Sequence, residues 1–180
     1  FSCGSNEDQA VAQISDDENA MQMYESAIKG EICVTDERLG EIKLKDLRFP
    51  SNDTSLDDCK LLTKAILDMD GDGINEYVIK SPNNYHIILH CYDGKVYSYC
   101  FDANDFCNLN TDGTFHWNNS SESGAWEGGL NKISFDGETL NVKSIYSLKY
   151  SEDSEINYYE TDHYEYYING QAVKRSEFFD

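Results

Sequence analysis

The chain has 180 residues, with 14 Lys and Arg against 34 Asp and Glu, for a formal charge of -20. That charge repels phosphate backbones and excludes nucleic-acid binding through a basic surface, and no apolar run approaches the ~20 residues of a membrane-spanning helix. Aromatics at 13%, with 13 Tyr in the chain, exclude full disorder, and the length fits one domain of about 100–200 residues.

The chain opens Phe1-Ser2-Cys3-Gly4-Ser5-Asn6. A small residue before a Cys, with small polar residues after it, resembles the end of a bacterial lipoprotein signal. The resemblance implies that Cys3 is lipidated and that the protein is extracellular, anchored to the membrane at the cell surface. Residues 4–20 hold five acids and no base, the composition of a solvated linker. Residues 1–16 therefore read as a flexible tether and residues 17–180 as a single globular domain.

Residues 17–29 predict a helix capped by Asp17 and ended by Gly30, with Met21, Tyr24, Ala27 and Ile28 on one face. Residues 32–58 show no clear period, and Leu44 and Leu47 anchor a loop there. From residue 60 the pattern is that of strands: 61–67, 76–80, 85–92, 95–101, 114–117, 130–135, 139–150 and 158–168. Asp93-Gly94, Asp112-Gly113, Asp136-Gly137 and Asn169-Gly170 punctuate them as hairpin turns. Residues 118–129, rich in Gly, Ser and Asn, make a soft connection, and 172–179 a short closing helix. No crossover helix is visible after residue 60. The expected fold is α+β: an N-terminal helix followed by a mainly antiparallel, twisted β-sheet meander with a calcium loop between strands.

That loop is Asp68-Met69-Asp70-Gly71-Asp72-Gly73-Ile74-Asn75-Glu76. Carboxylates at alternate positions converge when the chain wraps tightly, Gly73 supplies the turn, and Ile74 offers its backbone carbonyl. Carboxylates crowded this closely repel by about 1 kcal/mol per pair even in water, and a divalent cation relieves that. Oxygen-only donors on a flexible loop favour calcium, in a structural role. The expected ligands are Asp68, Asp70, Asp72, Ile74 and Glu76. The position a full EF-hand would give its last acid is Ile79, and the flanks read as strands.

This strand–loop–strand setting resembles the D-x-D-G-D-G-x-x-[DE] loops of integrin-type FG-GAP repeats, here in a single copy. The stretch 65–79, the hairpin Tyr92-Asp93-Gly94-Lys95-Val96-Tyr97 and the ending 166–178 also resemble uncharacterised secreted bacterial lipoproteins. That resemblance implies compartment and calcium but no reaction.

No G-x-S-x-G elbow, H-E-x-x-H helix or phosphate-cradling loop occurs. His86 and His90 share a strand face about 13 Å apart, too far to bind one metal; ordinary surface or half-buried imidazoles are the simpler reading. Cys33, Cys59, Cys91, Cys100 and Cys107 are odd in number and lack C-x-x-C spacing, so free thiols and a disulfide both stay open. Tyr97, Tyr99, Trp117 and Trp126 are the candidate ligand-binding aromatics, set against the ordinary role of Tyr in half-buried sheet. The leading expectation is a non-enzymatic, calcium-binding surface lipoprotein domain that binds an extracellular glycan or protein. The alternative is a secreted glycan- or peptidoglycan-active hydrolase using a carboxylate pair.

The charge is uneven. Segments 1–20, 51–58, 68–76 and 151–165 hold 18 acids and no Lys or Arg, leaving 16 acids against 14 bases elsewhere. Segment 151–165 has no role assigned by its sequence.

Overall fold

The computed structural model describes residues 15–49, 55–56, 62–81, 84–102, 104–120, 125–150 and 164–179. Cys3, Cys59, His163 and most of the tether and of the acidic segments 51–58 and 151–165 lie outside these residues.

Helix α1 spans Asp16–Ile28. Ser15, not Asp17, caps it: Ser15 Oγ accepts the Glu18 N–H and Glu18 Oε2 accepts the Ser15 N–H, both at 3.2 Å. This reciprocal box satisfies two orphan donors, and Asp16, Asp17 and Glu18 suit the positive end of the helix dipole. At the other end Glu31 donates to the Ser26 carbonyl and Gly30 to that of Ala27. Gly30 adopts φ 75° there, the left-handed position that ends such a helix. The buried face is Ala20, Tyr24 and Ala27; Ile28, expected on it, is exposed.

The first sheet contains β1 (Val34–Asp36), β2 (Gly40–Ile42), β3 (Thr63–Leu67), β4 (Glu76–Lys80), β5 (His86–Tyr92) and β6 (Lys95–Phe101), in the order β2-β1-β6-β5-β4-β3. Strands β3 to β6 form the expected meander. Asp93 and Gly94, both at positive φ (48° and 68°), make the tight turn between β5 and β6. Two features depart from expectation. The segment 32–58 contributes two three-residue strands, and β1 pairs with β6 in parallel, Thr35 opposite Tyr97 and Asp36 opposite Ser98.

The second sheet contains β7 (Thr114–Ser120), β8 (Trp126–Asp136), β9 (Thr139–Tyr150), β10 (Tyr164–Ile168) and β11 (Gln171–Val173), in the order β11-β10-β9-β8-β7. All its pairings are antiparallel. A five-residue helix, α2 (Arg175–Phe179), follows.

Alternation along β4 and β5 divides the core into two layers. Tyr77, Ile79, Ile87 and Leu89 meet Ala20, Tyr24 and Ala27 of α1. Val78, Ile88, Tyr97 and Tyr99 face the other way and meet Phe106, Phe115 and Ile133. Residues 86–90 are buried throughout because both faces of β5 are covered. The arrangement is helix on sheet on sheet, mostly β and mostly antiparallel, so α+β describes it only loosely.

Candidate metal centre

The acidic loop joins β3 to β4, whose last cross-strand pair is Leu67 with Glu76. Gly71 and Gly73 both sit near φ +90°, a conformation open to glycine, and this lets the chain fold back over its own carboxylates. Asp68 Oδ1 accepts the Gly71 N–H at 2.7 Å and its Oδ2 the Gly73 N–H at 3.0 Å. Asp70 Oδ1 accepts from Asp72 at 3.2 Å, and Asp72 Oδ1 from Ile74 at 2.7 Å. One oxygen each from Asp68, Asp70 and Glu76 come within 4.8 Å of one another. Asp72, also expected as a ligand, is exposed and outside this cluster.

The loop is held from all three layers. Asn75 donates its backbone N–H and its side-chain amide to Asp17 Oδ1 of α1, at 2.8 and 2.9 Å; this occupies the residue expected to cap the helix. Asp70 Oδ2 accepts the Phe135 N–H of β8 at 3.2 Å. Met69 is buried in the core between the sheets and lies against Gly113, where a Cβ would stand 2.0 Å from the Met69 carbonyl oxygen.

Glu76 is wholly buried. Its Oε2 accepts the Met69 N–H at 2.9 Å, and its Oε1 meets His90 Nδ1 at 3.2 Å. His90 Nε2 lies 3.1 Å from the Gly137 carbonyl, and the ring stacks on Phe135 with centroids 3.9 Å apart and planes 3° apart. A carbonyl only accepts, so Nε2 donates to Gly137 and Nδ1 faces the Glu76 carboxyl. Burial pushes the Glu76 carboxyl up, while the His90 and Met69 hydrogen bonds pull it the other way. Among the described residues no Lys or Arg pairs with Asp68, Asp70 or Glu76.

A donor set of carboxylate oxygens suits a hard divalent cation. Oxygens spread over at most 4.8 Å can surround one ion at the 2.3–2.6 Å typical of calcium, roughly half that span. Sequence reasoning missed His90, Asp17 and Phe135 here. Asp17 and Phe135 meet the loop across 58 and 65 residues, separations with no local signal, and His90 reaches it from the strand next to β4.

The candidate aromatics do not come together. Tyr97 and Tyr99 are only 8% and 6% exposed, and their hydroxyls donate to the Glu138 side chain and the Glu138 carbonyl. Trp117 packs against the core between the sheets. Trp126 lies on the opposite, outer face of the second sheet and is 38% exposed. Alongside it on that face stand Tyr150, Tyr164 and Tyr166, brought there by register.

Glu37 and Glu138 line one cleft, of about 270 Å³, with Tyr97 and Tyr99. The carboxyls that burial raises, Glu76 and Asp105, do not line it. His86 and His90 are both buried, in contrast to the surface or half-buried setting expected. Cys33, Cys91 and Cys100 are free thiols. Among the described residues no helix is long and apolar enough to cross a membrane. Compared with protein-family models, with curated proteins and with solved structures, the chain finds no match in any of the three, and its function is to be read from these residues.

Proposed function

We propose that this chain is the calcium-binding domain of a bacterial cell-surface lipoprotein, held outside the cell by a lipid on Cys3. It acts by binding an extracellular glycan or protein rather than by catalysis. The observation that carries the reading is the convergence of Asp68, Asp70 and Glu76 where the helix and both sheets meet. Calcium there would neutralise carboxylates that no Lys or Arg among the described residues offsets, and would fix the loop that joins the layers. The Ile74 carbonyl completes the proposed ligand set, and Asp72 braces the loop by accepting the Ile74 N–H.

Extracellular calcium modules commonly bind at about 10⁻⁴–10⁻³ M. Calcium at about 10 mM then stabilises the fold by roughly 1.4–2.7 kcal/mol, which raises the melting temperature of a domain this size by about 3–10 °C. Thermal melts of the full chain in calcium and in chelator test this. The Asp70→Ala variant is expected to lose the difference. An unchanged melting temperature on chelation would sink the calcium site.

A further inference from the structure

Thr63 and Lys80 stand directly opposite each other at the end of the β3–β4 hairpin remote from the acidic loop. Lys80 in turn stands opposite His86 of β5. Cross-strand partners share a face, so Thr63, Lys80 and His86 form one row on the side of the first sheet that looks toward the second. Ala65 and Val78 form the next row on that side. With Asn108 and Leu109, from the connection between β6 and β7, these residues line a cleft of about 300 Å³. Lys64 borders the cleft too, but its ammonium lies over the Tyr77 ring, 5.6 Å from the centroid, on the sheet's other face.

Two polar groups here lack the partners that the rest of the molecule supplies. His86 is only 5% exposed, and its Nδ1 has no hydrogen-bond partner. Its neighbour Phe106 offers a ring alone, with centroids 4.9 Å apart. Native folds seldom leave a buried polar atom unpaired without a reason. Lys80 is exposed, and among the described residues no carboxylate pairs with it, in a chain that has 34 acids. Burial first, and the Lys80 charge after it, hold the His86 pKa down at about 4, so the ring is neutral at physiological pH.

An ammonium beside an imidazole without a partner is the complement of an oxyanion, which accepts from both. The Thr63 hydroxyl and the Asn108 amide add further donors to the lining. Ala65, Val78 and Leu109 give the same cleft an apolar wall, which a bare inorganic anion would leave uncovered. A few polar groups set in an apolar lining, in a cleft near the lower end of the ~300–1,000 Å³ range of ligand sites, fit a small molecule. The net charge of -20 opposes an anion at long range, but salt screens that field over about 8–10 Å, and Lys80 is the nearer charge.

We propose that this cleft binds a small organic carboxylate, its anionic end held by Lys80 and the His86 imidazole and its apolar body against Ala65, Val78 and Leu109. The site needs neither calcium at the acidic loop nor a lipid on Cys3.

The test is a proton–nitrogen NMR titration of the full, isotope-labelled chain with butyrate and with benzoate. Saturable shifts are expected at the backbone amides of Thr63, Val78, Lys80, Asn108 and Leu109 and at the His86 ring nitrogens, which are identified by their loss in His86→Phe. Lys80→Gln, at an exposed position, is expected to fold as wild type and to bind about tenfold more weakly or worse. His86→Phe is expected to weaken binding in the same direction. Lys143→Gln, in the second sheet, is expected to bind as wild type. Absence of saturable shifts with both acids overturns the proposal, as does equal affinity in wild type, Lys80→Gln and His86→Phe. Butanol shifting the same amides as tightly as butyrate would reduce the cleft to an apolar hole and overturn it. Inorganic phosphate binding as tightly as butyrate would likewise overturn the assignment to a carboxylate with an apolar body.

Discussion

At the acidic loop, polar groups are answered by the protein itself. Asp68, Asp70, Asp72 and Glu76 accept backbone N–H groups, and Glu76 has His90 besides. On the outer face of the second sheet, Tyr166 packs against Phe178 and Phe179 of α2, while Trp126 and Tyr164 remain 38% and 41% exposed. Both regions draw on residue types the sequence has in abundance, acids and aromatics, yet one is closed and one is open. Groups satisfied from within hold layers together, whereas partly exposed rings such as Trp126 and Tyr164 leave apolar surface at the solvent.

The contrast is broken most directly at Glu76. Glu76→Ala strips a buried partner from His90 and from the Met69 N–H, and should cost about 3–5 kcal/mol by urea denaturation. A loss below about 1 kcal/mol would mean the loop is not the clasp described. A smaller effect is expected at His86, which shares the strand face of His90 but has no carboxylate bonded to it among the described residues. Burial lowers its pKa from 6.5 to about 4. Between those values the unfolded chain takes up a proton that the folded chain refuses, so stability falls as pH drops from 6.5 toward 4. His86→Phe should remove on the order of 2 kcal/mol of that loss by pH 4.5. Wild-type and variant unfolding curves that keep a constant separation from pH 7 to 4.5 would contradict it. The smallest effect belongs to the open face: Trp126→Ala should change stability by no more than about 1 kcal/mol. A loss as large as that of Glu76→Ala would show that the indole is core, not surface.

Legibility followed the range of the forces. Strands β4, β6 and β9 begin and end where alternation and turn residues place them, because Gly73, Asp93-Gly94 and Gly137 take positive φ at the turns that precede them. Strands β1 and β2 gave no period because three residues cannot show one; their pairing partners make them strands. At the helix start, the local Ser15-x-x-Glu18 signature was readable, but Asp17 drew the assignment while its carboxylate was committed to Asn75. The acid spacing placed Asp68, Asp70 and Glu76 together. It could not reveal His90, whose ring reaches Glu76 only once β4 and β5 are in register. Alternation put Tyr97 and Tyr99 on one face, but which face meets the second sheet is decided by packing.

The parallel pairing of β1 with β6 also orders events in time. Asp36 and Ser98 are 62 residues apart in the chain and meet side by side, with the Ser98 hydroxyl on the buried Asp36 carboxylate. During synthesis the first strand leaves the ribosome long before its partner exists. Helix α1 and the short β1–β2 pair must wait, without a sheet to join, until the hairpin ending in β6 has emerged. Closure of the sheet is thus a late, long-range step, of the kind that makes folding slow and leaves apolar surface exposed meanwhile.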